Sequence, residues 1–266
     1  MRPMTIRSAR RLCLWALFAA IIGPPVLAPG AHAGEIVRPQ PGATWQYQLS
    51  GSLDGSVEAD VFDIDGFETK ASQVTELHEL DRYAICYISA GAWERWRPDA
   101  SEFPKRLLGK SNGWPGERWL DIRKLRPLKP ILRNRLDMCE AKGFDAVEFD
   151  NVDGFRNRTG WPLRGKHQLR FNRFLAGAAH ARGLAAGLKN DLSQIDTLVD
   201  DFDFAINEQC WQYLECGRLK PFTESAKAVF NVEYRLQRSE FCDGSDERAF
   251  GSIRKRLSLR VWRRAC

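Results

Sequence analysis

The side chains best suited to acid–base or nucleophilic work lie together in residues 143–154, GFDAVEFDNVDG. Alternation over 146–150 puts Val147 and Phe149 on one strand face and Ala146, Glu148 and Asp150 on the other. Acids are rarely buried unless paired, so Glu148, Asp150 and Asp153 at one strand end imply a cleft in which charge is used. Asp-Asn and Asp-Gly are also ordinary turn formers, and alone the segment reads equally well as a turn.

The elements around it repeat the pattern. TWQYQLS (44–50) and VFDID (61–65) read as strands, followed by a helix over 70–81 and a strand YAICYIS (83–89). Residues 92–127 interrupt the rhythm with Trp93, Trp96, Trp114 and Trp119; these line a saccharide cleft by stacking on sugar faces or pin a long loop to the body. A helix over 130–142 leads into the acidic stretch. Then come a helix (166–182), a strand LAAGLK (184–189), a helix (193–200), a strand FDFAINE (202–208), a helical piece (222–226), a strand AVFNVEY (228–234) and a last unit near 252–259. Strands separated mostly by helices predict a parallel sheet closed into an α/β (β/α)8 TIM barrel, with a doubly wound open sheet as the alternative. No Gly-rich phosphate loop appears.

In such a barrel the strand ends meet at one rim. There the sequence supplies Asp63 and Asp65, then Tyr87, then Glu148, Asp150 and Asp153, then Lys189 and Asn190, then Glu208, and finally Glu233 and Tyr234. Seven carboxylates beside one lysine repel unless some are protonated, paired or facing a cationic ligand. We expect substrate contacts from Asp63, Asp65, Tyr87, Asp153, Lys189, Asn190, Glu233 and Tyr234, and read Glu148 as the buried partner of a cation such as Lys189. His78, His167 and His180 fall in helices and read as structural. No Gly-x-Ser-x-Gly is present and no histidine sits at a strand end, which argues against a nucleophilic triad or a histidine-held metal. What remains is two-carboxyl chemistry of the glycosidase kind, needing no cofactor and no metal.

Residues 1–33 have a basic start, an apolar run and Ala31-His32-Ala33, the pattern of a signal peptide cleaved after Ala33, with 34–42 as a leader and 43–266 as one catalytic domain. The export route, general or twin-arginine, stays open. We therefore expect a secreted or periplasmic protein with no membrane span after processing. The signal carries four arginines and no acid, so the formal charge of +6 falls to +2 without it; residues 34–247 stand at −5, which argues against a nucleic-acid partner. Cys13 leaves with the signal, and the six remaining cysteines suit an oxidising compartment. Fifteen pairings are open; we favour Cys242–Cys266 as a staple on the chain end, with Cys210–Cys216 and Cys86–Cys139.

Taken together, TWQYQLSG, VFDID, ICYISAGAWERWRPD, FPKRLLG, WPGERWLDIR, KGFDAVEFDNVDG, GLKN, NEQC with a later Cys216, and AVFNVEY resemble glycoside hydrolase family 114, the endo-α-1,4-polygalactosaminidases and their relatives. The resemblance runs over about residues 43–260. It implies a (β/α)8 barrel that cuts α-1,4 bonds in partly deacetylated galactosamine polymers, with Asp150 and Glu208 as the catalytic pair. Phe149 stands where many relatives have proline. We expect Asp150 as nucleophile or base, kept oriented and ionised by Glu148 and Lys189, and Glu208 as proton donor. A cationic polysaccharide is the expected partner and a monomer the expected state. A carbohydrate-binding pseudoenzyme and a hydrolase of a neutral α-glycan are the alternatives.

Overall fold

The computed structural model describes residues 36–266, so the expected signal peptide lies outside the described residues. In chain order the elements are β1 (Trp45–Gln48), β2 (Val61–Asp65), α1 (Ala71–His78), β3 (Tyr83–Ser89), β4 (Ala92–Glu94), β5 (Glu117–Trp119), α2 (Leu125–Ala141), β6 (Ala146–Asp150), α3 (Gly165–His180), β7 (Ala185–Lys189), α4 (Ile195–Leu198), β8 (Phe204–Glu208), α5 (Lys220–Glu224), β9 (Val229–Glu233), α6 (Cys242–Asp246), β10 (Phe250–Lys255) and β11 (Arg263–Ala265). The main sheet runs β1-β2-β3-β6-β7-β8-β9-β10-β11. Its first eight strands are parallel, and β11 returns antiparallel on β10. This is the expected (β/α)8 barrel.

Side-chain alternation sorts the core into two compartments. Trp45, Tyr47, Val61, Ile85, Ala146, Ala185, Phe204, Phe230 and Ile253 fill the barrel interior. Val147, Phe149, Ala186, Leu188 and Ala205 face outward and meet Leu128, Leu132 and Leu136 of α2 and Phe171 and Leu175 of α3. Both faces of each strand are therefore buried, as parallel sheets require. Phe149 lies in the outer layer, and the same alternation turns Glu148 and Asp150 toward the axis. Gly187 keeps the interior passable: a Cβ there would come within 2.5 Å of the Phe204 ring.

Beside β10 and β1 the ring is completed by long side chains and the C-terminal segment. Arg263 donates to Trp45 O at 2.8 Å, Gln46 Nε2 to Val261 O at 2.8 Å, and the buried Lys255 Nζ to Gln46 Oε1 at 3.0 Å. All three favoured disulfides are present: Cys86–Cys139, Cys210–Cys216 and Cys242–Cys266.

Several boundaries differ from expectation. Helix α2 starts at Leu125 and contains Pro130, which was expected to open it. The 92–127 insertion holds an antiparallel β4–β5 hairpin, and the last unit is a parallel strand followed by a reversed one. The helices after α3 are short, at four to five residues each. Among the described residues no helix is long and apolar enough to cross a membrane.

Candidate active site

Inward positions on neighbouring strands deliver the site as two storeys. Register places Tyr47 beside Asp63, Tyr87 beside Glu148, and Ser89 beside Asp150. The lower storey is sealed: Asp63 and Glu148 are fully buried, and the Lys189 side chain is 2% exposed. The upper storey reaches solvent, with side-chain exposure of 22% for Asp150 and 30% for Glu208. That difference separates the acids that can touch a ligand from those that support them.

Lys189 joins the storeys. Its Nζ lies 2.5 Å from Glu148 Oε1, 2.9 Å from Tyr47 Oη, 3.4 Å from Asp150 Oδ1 and 3.7 Å from Glu208 Oε2. Burial pulls its pKa down, but Asp150, Glu148 and Glu208 outweigh that and hold it well above the ordinary lysine value. Asp63 is pushed the other way for an acid. Burial, then the charge of Glu148, raises its carboxyl well above the usual range. Neither Asp63 oxygen meets an N–H or O–H donor, nor does Glu148 Oε2. A proton held by Asp63 and directed at Glu148 satisfies all of this chemistry.

Above them, Asp150 is surrounded by donors: Tyr87 Oη at 2.9 Å, Asn151 Nδ2 at 3.1 Å and the Lys189 ammonium. Tyr87 is held protonated by burial and by Asp150. Glu208 accepts from Tyr234 Oη at Oε1, and its backbone N–H donates to Asn190 Oδ1 at 3.0 Å. The residue following each of these three strand ends, Asn151, Asn190 and Gln209, has φ of 62°, 50° and 64°. Left-handed backbone is costly for side-chain-bearing residues and clusters at functional sites. It is made possible at Asn151 by Gly91, where a Cβ would fall 1.7 Å from Asn151 O.

Of the ammonium's three N–H bonds, Glu148 and Tyr47 take two. Asp150 Oδ1 and Glu208 Oε2 lie within ion-pair distance of the same ammonium. The 3.4 and 3.7 Å legs cap the Asp150 Oδ1–Glu208 Oε2 distance at their sum, about 7 Å.

Glu208 lines a cleft of about 810 Å³ together with Asp153, Asn190, Asp191, Tyr213 and Asn112, among others. Asp153 is raised by burial and by Asp150, and Asp191 is pushed up to about 8, chiefly by burial. Among the described residues no group of three or more histidines, cysteines and acids could hold a metal ion. His78 and His180 bond Asp145 and Asp203 at 2.9 and 2.7 Å, in structural roles as read from sequence.

Four expected substrate contacts need correction. Asp63 is sealed below Glu148. Asp65 receives both arms of Arg97, at 2.8 and 2.7 Å, and the backbone N–H groups of Phe67 and Glu68. Glu233 is fully buried and accepts the Trp211 N–H at 2.9 Å. Lys189 is spent on three carboxylates and a phenol. The tryptophans divide: Trp119 is buried and the Trp93 indole donates to Ala100 O at 2.9 Å, whereas Trp96 and Trp114 are 51% and 53% exposed. None of the four is among the residues lining the Glu208 cleft. Sequence reasoning passed over Tyr47, Asn151, Asp191 and Tyr213. Tyr47 was legible as the inward position of an alternating strand, and Asn151 as the neighbour of Asp150.

A model of glycoside-hydrolase family GH114 matches residues 27–266. No curated protein matches the chain. Among solved structures, Ega3 of Aspergillus fumigatus, determined in complex with galactosamine, is 36% identical at a TM-score of 0.83, and the match covers 89% of this chain and 100% of that one. The glycoside hydrolase domain of PelA from Pseudomonas aeruginosa is 14% identical at a TM-score of 0.65, covering 84% and 97%. That second likeness is one of fold.

Proposed function

This chain belongs to glycoside hydrolase family GH114, and on that footing we propose that it cleaves α-1,4 bonds within galactosamine-containing polymers, with Asp150 as nucleophile and Glu208 as acid–base. The observation that carries the roles is the pairing of the two solvent-reaching carboxyls across Lys189 Nζ, at 3.4 and 3.7 Å. Tyr87 Oη, Asn151 Nδ2 and the Lys189 ammonium converge on Asp150 and aim it. Glu208 is the more open of the two, with a phenol fixing Oε1.

The reaction follows from that division of labour. Asp150 attacks the anomeric carbon from the face opposite the leaving oxygen, forming a β-linked glycosyl ester as the α bond breaks. Glu208 passes its proton to the leaving oxygen. It then takes a proton from water, whose oxygen displaces Asp150 and restores the α configuration, with Glu208 reprotonated. Tyr87 and Lys189 stabilise the carboxylate that leaves, and the sealed acids below hold Lys189 in place.

The substrate assignment is supported by the likeness to a protein solved with galactosamine and by charge. Residues 34–247 carry a formal charge of −5. A polymer of free amines is drawn to such a surface. Endo action rests on the family resemblance. Three disulfides favour an exported protein, in keeping with residues 1–33 as a signal peptide. The test is product analysis on α-1,4-galactosaminan at graded acetylation. Oligosaccharides should appear with the parent enzyme and be lost with Asp150→Asn and with Glu208→Gln; unchanged cleavage in both folded variants would refute the assignment.

A further inference from the structure

The loop after β8 presents apolar surface in an unusual way. Tyr213 is 60% exposed and Leu214 92% exposed at its tip. Both would be expected to fold away on a mobile loop, yet this one is braced. Cys210–Cys216 closes it, with Glu215 N–H on Cys210 O at 2.8 Å, Tyr213 N–H on Gln209 O at 3.1 Å and Leu214 N–H on Trp211 O at 3.1 Å. The buried Glu233 holds the Trp211 N–H, and the Trp211 ring packs so closely on Gly244 that a Cβ there would come within 2.4 Å. Gln209 and Leu214 both sit at left-handed φ, 64° and 57°. Strain of this kind persists only where the surroundings over-determine it, and it marks binding sites.

The tip is also in the right place. Tyr213 lines the same cleft as Glu208, only five residues further along the chain. A general acid stands beside the leaving oxygen, so a sugar held on the Glu208 side belongs to the departing portion of the chain. We propose that Tyr213 is the stacking platform of a leaving-side subsite, its ring lying against the apolar face of an amino-sugar residue. The aromatic ring supplies contact area with only two side-chain torsions to fix, and the brace means that little loop entropy is lost on binding. This inference rests on the function proposed above.

Calorimetry with galactosamine oligosaccharides on the Glu208→Gln full chain tests it, comparing that protein with versions also carrying Tyr213→Ala or Tyr213→Phe. Loss of the ring should weaken binding about tenfold, a difference of ~1.4 kcal/mol, while Tyr213→Phe stays within about twofold of the parent. In the active background, Tyr213→Ala should raise KM about tenfold with kcat nearly unchanged. Equal binding by the Tyr213→Ala and parent proteins would overturn the subsite while leaving the functional reading intact. No binding by the parent protein would instead overturn the functional reading, and the subsite with it. Thermal unfolding of each variant separates a binding defect from a folding one.

Discussion

Lys189 and Glu148 form a buried ion pair at 2.5 Å directly beneath the two carboxyls that reach solvent. The pair sits in the barrel interior, where removing Lys189 leaves Glu148 buried without its cation. Lys189→Met should therefore destabilise the protein by about 3–5 kcal/mol. It should also lower kcat by about 10²-fold or more, because a preorganised charge beside the two carboxyls proposed to react is lost. The double variant Lys189→Met/Glu148→Gln should recover part of the stability and none of the activity. Urea titrations and steady-state rates on the three proteins measure both quantities; equal stability of the single and double variants would mean that the two side chains are not coupled.

Asp63 and Asp191 give the fold a particular dependence on pH. Both are acids whose folded pKa is raised, Asp63 well above the usual range and Asp191 to about 8, against ~3.9 when unfolded. Between those values the folded state holds protons that the unfolded state has released, so stability falls as pH rises from about 4 toward 8. Asp63→Asn keeps a donor facing Glu148 and removes the titration. It should fold, retain cleavage, and lose stability less steeply over that window; Asp63→Ala should not substitute for it. Chemical denaturation at about pH 4.5, 6 and 7.5, within the window between the unfolded and folded pKa values, reads the slopes, and an unaltered slope in Asp63→Asn contradicts a protonated Asp63.

Asp65 serves the insertion that follows β3. Its carboxylate takes both arms of Arg97, which also pairs with Glu94 at 2.8 Å. Asp65→Ala should cost up to about 3–5 kcal/mol, with Glu94 softening the loss. KM of the folded enzyme should stay within about twofold. A tenfold rise in KM without loss of stability would return Asp65 to the substrate.

The barrel is legible in the sequence because its strands announce themselves twice, by alternating apolar residues and by polar residues at their ends. The alternation of Val147 and Phe149 with Glu148 and Asp150 predicts which side chains face the axis. It also yields Glu148 as the partner of Lys189. Height along the axis is another matter. Asp63 and Asp150 are both inward acids, but Asp63 lies two residues short of its strand end and is sealed, while Asp150 stands at the last position. Asp65 does stand at a strand end and is neutralised by Arg97, 32 residues away, a partner that only the folded insertion provides. Glu233 is likewise claimed by a backbone N–H from the Cys210–Cys216 loop. Tyr213 carries no periodic signal at all, because its position depends on how that short disulfide ring is braced.

The roles of Asp150 and Glu208 can be read in one measurement. An α-galactosaminyl fluoride needs no proton on its leaving group, so Glu208→Gln should still form the glycosyl ester but hydrolyse it slowly. Peptide mass spectrometry of that variant after incubation with the fluoride should find a hexosaminyl adduct on Asp150. An adduct on another carboxyl, or anomeric inversion with no adduct at all, would contradict the account.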